Sequence, residues 1–216
     1  MAALFPRWAN AAMRAALVVL FLLLAGFPLG LMAWVRTPNA TRRYAPVTQP
    51  VAFDHRIHAG ALRIDCRYCH FSVERSAYAG LPPTQTCVPC HSSSWMAGAP
   101  MAPVRASLAS GKPIPWQRVN GLPDFVFFNH AIHVTKGVGC ESCHGRVDRM
   151  AQVHQTAPLT MGWCLDCHRM PEQHLRPVEQ MTTMGYTPRE SQRVLGHTLA
   201  QRYGVRSLTS CTDCHR

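Results

Sequence analysis

All ten cysteines of this 216-residue chain fall into five C-x-x-C pairs, and a histidine follows every pair. The pairs are Cys66/Cys69 with His70, Cys87/Cys90 with His91, Cys140/Cys143 with His144, Cys164/Cys167 with His168, and Cys211/Cys214 with His215. C-x-x-C-H is the attachment motif of haem c. Its two thiols form thioethers with the porphyrin vinyl groups, and the adjacent histidine becomes the proximal ligand of the iron. Rival readings fit less well. Zinc ribbons use two pairs per metal, so five pairs leave one over, and they need no histidine after each pair. Thioredoxin-like chemistry needs one reactive pair. A disulfide framework does not favour bridges between such close neighbours. Five covalently bound haem c groups are therefore expected.

That cofactor load explains the composition. Hydrophobic residues make up 47 % of the chain, but an uncharged run of 21, Ala15 to Val35, takes many of them. The rest is rich in Gly, Pro, Ser and Arg and has too little Leu, Ile and Val for a conventional core of its size. Five porphyrins, one per roughly 36 residues, supply the missing interior. The formal charge of +11, carried by 20 Arg and 2 Lys, would ordinarily suggest nucleic acid or an anionic surface. About ten haem propionates offset it instead, leaving roughly +6 oxidised and roughly +1 reduced. Arginine suits planar carboxylate partners, so no nucleic-acid partner is expected.

The run from Ala15 to Val35 spans roughly 31 Å as a helix, enough for a hydrocarbon core. Gly26, Pro28 and Gly30 are candidate kink positions. Arg7 and Arg14 before it and Arg36, Arg42 and Arg43 after it leave the charge asymmetry indecisive. A cleaved signal peptide is the rival reading, but its apolar core would be unusually long and no clean A-x-A site follows. The expectation is a single-pass anchor over residues 1–36. Haem c is attached outside the bacterial inner membrane, so residues 37–216 are expected to form a periplasmic haem unit.

An internal repeat organises that unit. Phe53-Asp-His55-Arg-Ile57-His58 precedes Cys66, and Phe128-Asn-His130-Ala-Ile132-His133 precedes Cys140. Each is followed by two C-x-x-C-H motifs, which gives dihaem repeats at 51–100 and 126–177, a connection at 101–125 and a fifth haem within 178–216. The stretch 92–124 carries no motif and is expected to be a long connection ordered by packing on the haems. An H-x-x-H pair places two imidazoles about 60° apart on one helical turn, so they can serve two closely packed irons. His55, His58, His130 and His133 are thus the expected distal ligands. The fifth distal ligand stays open among His174, His154, Met150 and Met161. His197 is expected to be solvated, on a helix opened by Thr187-Pro-Arg-Glu190 and ending near Gly204. Trp163 and Trp95 are expected to pack on haem edges. The fold class is a multihaem cytochrome c: mostly irregular, with short helices around five haems and one N-terminal transmembrane helix.

Segments outside the motifs carry a resemblance. Ala102-Pro-Val-Arg-Ala-Ser107, Gly111-Lys-Pro-Ile-Pro-Trp-Gln-Arg-Val119, Leu122-Pro-Asp-Phe-Val-Phe-Phe-Asn-His130, Met161-Gly-Trp-Cys-Leu-Asp-Cys-His-Arg169 and Pro171-Glu-Gln-His-Leu-Arg-Pro177 are similar to one family. It is the pentahaem cytochrome c subunit of bacterial alternative complex III, a quinol:electron-acceptor oxidoreductase, and the likeness covers about residues 45 to 216. The resemblance implies three kinds of partner: an iron–sulfur subunit of molybdopterin-enzyme type, polytopic quinol-binding membrane subunits and a monohaem cytochrome c. It also implies Met150 as the fifth distal ligand, with His174 second.

The expected role is electron transfer from quinol oxidation towards a periplasmic cytochrome c or terminal oxidase, with no substrate chemistry on this chain. A multihaem reductase would need an open iron, often marked by a modified motif, and all five motifs here end in histidine. A self-sufficient membrane-anchored quinol dehydrogenase feeding a soluble reductase is the second reading. A structural platform role is compatible with either.

Overall fold

The computed structural model describes residues 5–91 and 96–215. Trp95 and the start of the connection, within 92–95, lie outside the described residues, as do 1–4 and 216. Contacts divide the chain into two units, residues 1–42 and 43–216.

The first unit is built on the helix Ala9–Trp34, 26 residues long. Its most apolar window has a mean hydropathy of 2.5, and none of its residues is buried. At 1.5 Å per residue it is roughly 39 Å long, so it is long and apolar enough to cross a bilayer core. The helix continues through Pro28, where one backbone N–H is missing. A short turn, Pro38–Thr41, follows, capped by the Thr37 hydroxyl accepting from the Ala40 N–H.

The second unit is a set of short helical turns joined by irregular chain. Its only extended pairings among the described residues are two isolated bridges, Val126 with His215 and Val138 with Leu175. Four motifs lie on helical turns of their own: Cys66–Cys69, Cys140–His144, Met161–Arg169 and Cys211–Cys214. The second lies on a tighter turn, Thr84–Cys87. Local polar residues start these turns. Asp65 accepts from the Arg67 N–H, Thr160 from the Trp163 N–H, and Ser210 forms a reciprocal capping box with Asp213.

Two elements depart from the sequence expectation. The connection contains a regular helix, Ala102–Ser110, started by Pro103 and ended by Gly111 at φ 68°. It buries Val104 and Ser107, and the Ser107 and Thr84 hydroxyls meet at 2.6 Å. Val104 joins Val51 and Ile114 in a small cluster that also packs Cys87. The connection thus has structure of its own, directed at the second motif. The last long helix is Gln192–Tyr203, so it starts four residues later than a Thr187 cap suggests, with the Ser191 hydroxyl as its cap. Packing fixes that register. The Gln192 amide donates to the Glu172 and Leu175 carbonyls, and Gly196 lies so close to the Glu172 carbonyl that a β-carbon has no room. Leu199 is buried on this helix, whereas Val194 is 55 % exposed.

Side-chain core is scarce. The buried hydrophobic residues described are Val51, Val73, Val104, Ile114, Val134, Ala157, Leu175, Met181 and Leu199, too few to close a unit of this length by themselves. Large apolar side chains of the repeats remain open: Ile57, Ile132, Phe125 and Phe127 are each more than half exposed.

Candidate haem-binding site

The H-x-x-H pairs are presented by equivalent but not identical turns. His130–Thr135 is a helical turn capped by the Asn129 side chain, which accepts from the Ile132 N–H. Its counterpart, Arg56–Ala61, is wound more widely, with the Leu62 N–H reaching the Ile57 carbonyl. A phenylalanine holds each pair in the same way. Phe53 meets His55 edge-on at 4.7 Å and stacks on His58 at 4.1 Å. Phe128 meets His130 edge-on at 4.7 Å and stacks on His133 at 4.5 Å. Both phenylalanines stand in the repeat, and that recurrence is the signal by which their positioning role is legible.

The structure brings distal and motif histidines into pairs. The centroids of His58 and His91 lie 6.1 Å apart, those of His130 and His144 6.3 Å, and those of His133 and His168 6.0 Å. These gaps are too wide for ring stacking. A metal–imidazole bond of about 2 Å, plus roughly 1 Å from ring nitrogen to ring centre, puts two imidazoles sharing one metal roughly 6 Å apart. The residues therefore fit an iron between each pair. Burial pushes His55 down to about 4, and the neighbouring imidazoles of His70 and then His58 add to the effect. Burial also lowers His144, to about 4, and His133. Neutral imidazole is the form that ligates metal.

Ring orientation fits the same role. Nδ1 of His70, His130, His133 and His168 meets the carbonyl of Gly80, Ala77, Asn129 and Leu208 respectively, at 2.8 to 2.9 Å. His58 meets Asp54 at 2.9 Å and His215 meets Phe125 at 3.1 Å in the same manner. Each such contact holds the proton on Nδ1 and frees Nε2 for a metal.

No described ring contact joins His70 or His215 to another histidine; the ring neighbour of His215 is Phe125, at 5.7 Å. Met150 ends the turn Val147–Arg149, which packs on Arg56–Ala61 of the first repeat. His174 is exposed on the turn Pro171–His174. Neither is brought to His215 by any described contact. His154 lies edge-on to Tyr44 at 5.8 Å. His197 is exposed, with Nε2 engaged by the Gln201 amide at 3.0 Å. Trp163 lines an open cavity of about 380 Å³ with Ser142 of the third motif and Thr156.

The cysteines show how the motifs neighbour one another. Cys66 and Cys140 are neighbours, and their interaction lowers Cys66 and raises Cys140. Burial, then the Cys87 and Cys66 thiols, raises Cys69. Burial, then Cys167 and Cys164, pushes Cys143 up to about 12. Burial, then Cys214, raises Cys164. Packing agrees: Val73, after the first motif, clusters with Val134 and Met181 against Cys140, and the Phe127 N–H donates to the Cys214 carbonyl at 2.9 Å. These neighbours link the second motif to the first, the first to the third, the third to the fourth and the fourth to the fifth. Cys90 and Cys211, in the outermost motifs, are the exposed cysteines.

Several arginines are committed to protein carboxylates. Arg56 pairs with Asp54, Arg67 with Asp65 and Glu74, and Arg146 with Asp148. Arg176 pairs with Glu141 at 2.7 Å, where the side chains are 10 % and 14 % exposed. These guanidinium groups support the loops that carry the motifs.

No family model matches the chain. Over 102 residues it is 36 % identical to the multiheme cytochrome c subunit of menaquinone reductase from Nitratidesulfovibrio vulgaris. The match takes in 47 % of this chain and 48 % of that protein, so the chain spans about half the length of the curated relative it matches. Its motifs, its paired imidazoles and this likeness agree on one point: the chain is a homologue of a multihaem cytochrome c.

Proposed function

We propose that this chain is the electron-transfer subunit of a membrane quinol oxidoreductase of the alternative complex III kind. It would carry five covalently bound haem c groups in the second unit. The observation that carries the reading is the set of imidazole pairs about 6 Å apart, each with one histidine from a C-x-x-C-H motif and one from an H-x-x-H repeat. Bound haem supplies one-electron chemistry; the chain supplies attachment, axial ligands and spacing. The ten cysteines hold the porphyrins, and His70, His91, His144, His168 and His215 are the proximal ligands. His55, His58, His130 and His133 are the distal ligands of the first four motifs.

In this reading the helix Ala9–Trp34 anchors the chain in the inner membrane, with residues 43–216 on the periplasmic side. The partners are an iron–sulfur subunit of molybdopterin-enzyme type, polytopic quinol-binding subunits and a monohaem cytochrome c. The relative's name favours a membrane quinone-linked complex but points to the opposite direction of flow, reduction of menaquinone. Direction is tested on the purified complex by following the haem bands. Reduction of all haems by added quinol in the absence of other donors supports flow from quinol. No reduction by quinol, with rapid reduction by a periplasmic cytochrome, reverses the assignment. If the isolated chain alone oxidises quinol, the self-sufficient dehydrogenase reading replaces both.

A further inference from the structure

The histidine of the third motif differs from the others in what holds it. Where a described hydrogen bond fixes Nδ1 of another motif or repeat histidine, the partner is a backbone carbonyl. At His144 the partner is a side chain: the amide nitrogen Nδ2 of Asn120 lies 3.1 Å from Nδ1. Asn120 is half-buried at the end of the connection between the repeats, 24 residues ahead of His144.

The chemistry of ligation decides which amide atom faces the ring. If His144 gives Nε2 to a metal, its Nδ1 carries the proton and must donate. A half-turn of the Asn120 amide exchanges its oxygen and nitrogen with little change in shape. The carboxamide oxygen then accepts from Nδ1. The contact is part-buried, so water screens it less than at an open surface and the hydrogen bond acts more strongly on the group it touches. A stronger acceptor on Nδ1 makes the imidazole a better electron donor, and a better donor favours ferric over ferrous iron.

We propose that Asn120 is a positioning and tuning residue. It holds His144 in the ligating tautomer and lowers the reduction potential of the third haem by accepting from Nδ1. The inference rests on the haem reading above. It also explains why the connection must be ordered, since the segment that covers the second motif also delivers an acceptor to the third.

The His130 and His144 rings are nearly coplanar in orientation, 5° apart, whereas His133 and His168 are crossed at 64°. Parallel imidazole ligands split ferric d orbitals more strongly than crossed ones, so a haem held by His130 and His144 would give a rhombic low-spin EPR signal. That signal can be titrated separately in the full haem-loaded chain within its complex. Asn120→Leu is expected to raise its midpoint by about 59 mV, equivalent to about a tenfold change in the reduced-to-oxidised ratio of a one-electron couple. Asn120→Asp is expected to lower it, and Asn120→Gln to restore a value near that of the unmodified chain. The other four midpoints should stay in place. Unmoved midpoints in both Asn120→Leu and Asn120→Asp overturn the proposal, as does an equal shift of all five signals. If Asn120→Leu loses one haem by pyridine haemochrome, the Asp and Gln variants decide the matter. An unmodified chain with no haem defeats the haem reading itself, and is a different result from haem present with no shift.

Discussion

At the scale of single residues, the chemistry that spacing can fix is legible in the sequence, and the chemistry that folding fixes is not. Thioether attachment and proximal ligation involve neighbours a few positions apart, so Cys66 to His70 and its four counterparts can be read directly. Which repeat histidine faces which motif depends on contacts across 14 to 35 residues, and only the folded chain gives it. Met150 illustrates the limit: the turn before it packs on the first repeat, and no described contact joins it to His215. Asn120 carried no signal at all. A test follows from the His133–His168 pair. His133→Ala should turn one haem high-spin and able to bind carbon monoxide, leaving the others low-spin. His197→Ala should leave the spectrum unchanged, because that Nε2 is already taken by Gln201. Low-temperature EPR and carbon monoxide difference spectra read both variants, and a high-spin signal from His197→Ala would overturn the assignment.

At the scale of elements, short turns depend on their caps more than on propensity, because too few residues are helical to stabilise a turn by themselves. Asp65 shows this. It caps Cys66–Cys69, pairs with Arg67 at 2.9 Å and accepts from the Thr182 hydroxyl at 2.9 Å. Asp65→Ala should cost about 1 kcal/mol of stability at neutral pH. Arg67 is the first cause that lowers the Asp65 carboxyl, to about 2. A carboxyl lowered by folding contributes stability above its ordinary range and loses it as pH falls through the folded value. The gap in Tm between Asp65→Ala and the unmodified chain should therefore narrow as pH drops from about 4 towards 2. Gly196 gives a second test at this scale. Helix propensity alone favours alanine there by about 1 kcal/mol, but a β-carbon would meet the Glu172 backbone. Gly196→Ala should lower Tm; a rise would show that the turn Pro171–His174 gives way easily. Both the late helix start at Ser191 and the helix Ala102–Ser110 escaped sequence reading for one reason. Each is decided by the surface it packs on, Glu172 in one case and Thr84 with Val51 in the other.

At the scale of the whole molecule, the chain order of the motifs and their spatial order differ, and the repeat explains why. Each H-x-x-H turn ties its own two motifs together, so first pairs with second and third with fourth. The two halves then meet through their first members: Cys66 reaches Cys140, and the Ala77 carbonyl of the first half accepts from His130 of the second. The fifth motif attaches to the fourth, because the Leu208 carbonyl just before it holds His168. This layout leaves the second and fifth motifs at its two ends, where Cys90 and Cys211 are exposed. In the haem-loaded chain, the first motif's iron should have the irons of the second and third motifs as its nearest neighbours. The second motif's iron should have one near neighbour only. Iron positions in a cryo-EM map of the complex test this directly. Finding the second motif's iron next to the third's, in simple chain order, would defeat the layout while leaving the ligand pairs intact. Finding the first iron between the second and third would place the exchange with partners at the two motifs whose cysteines are exposed.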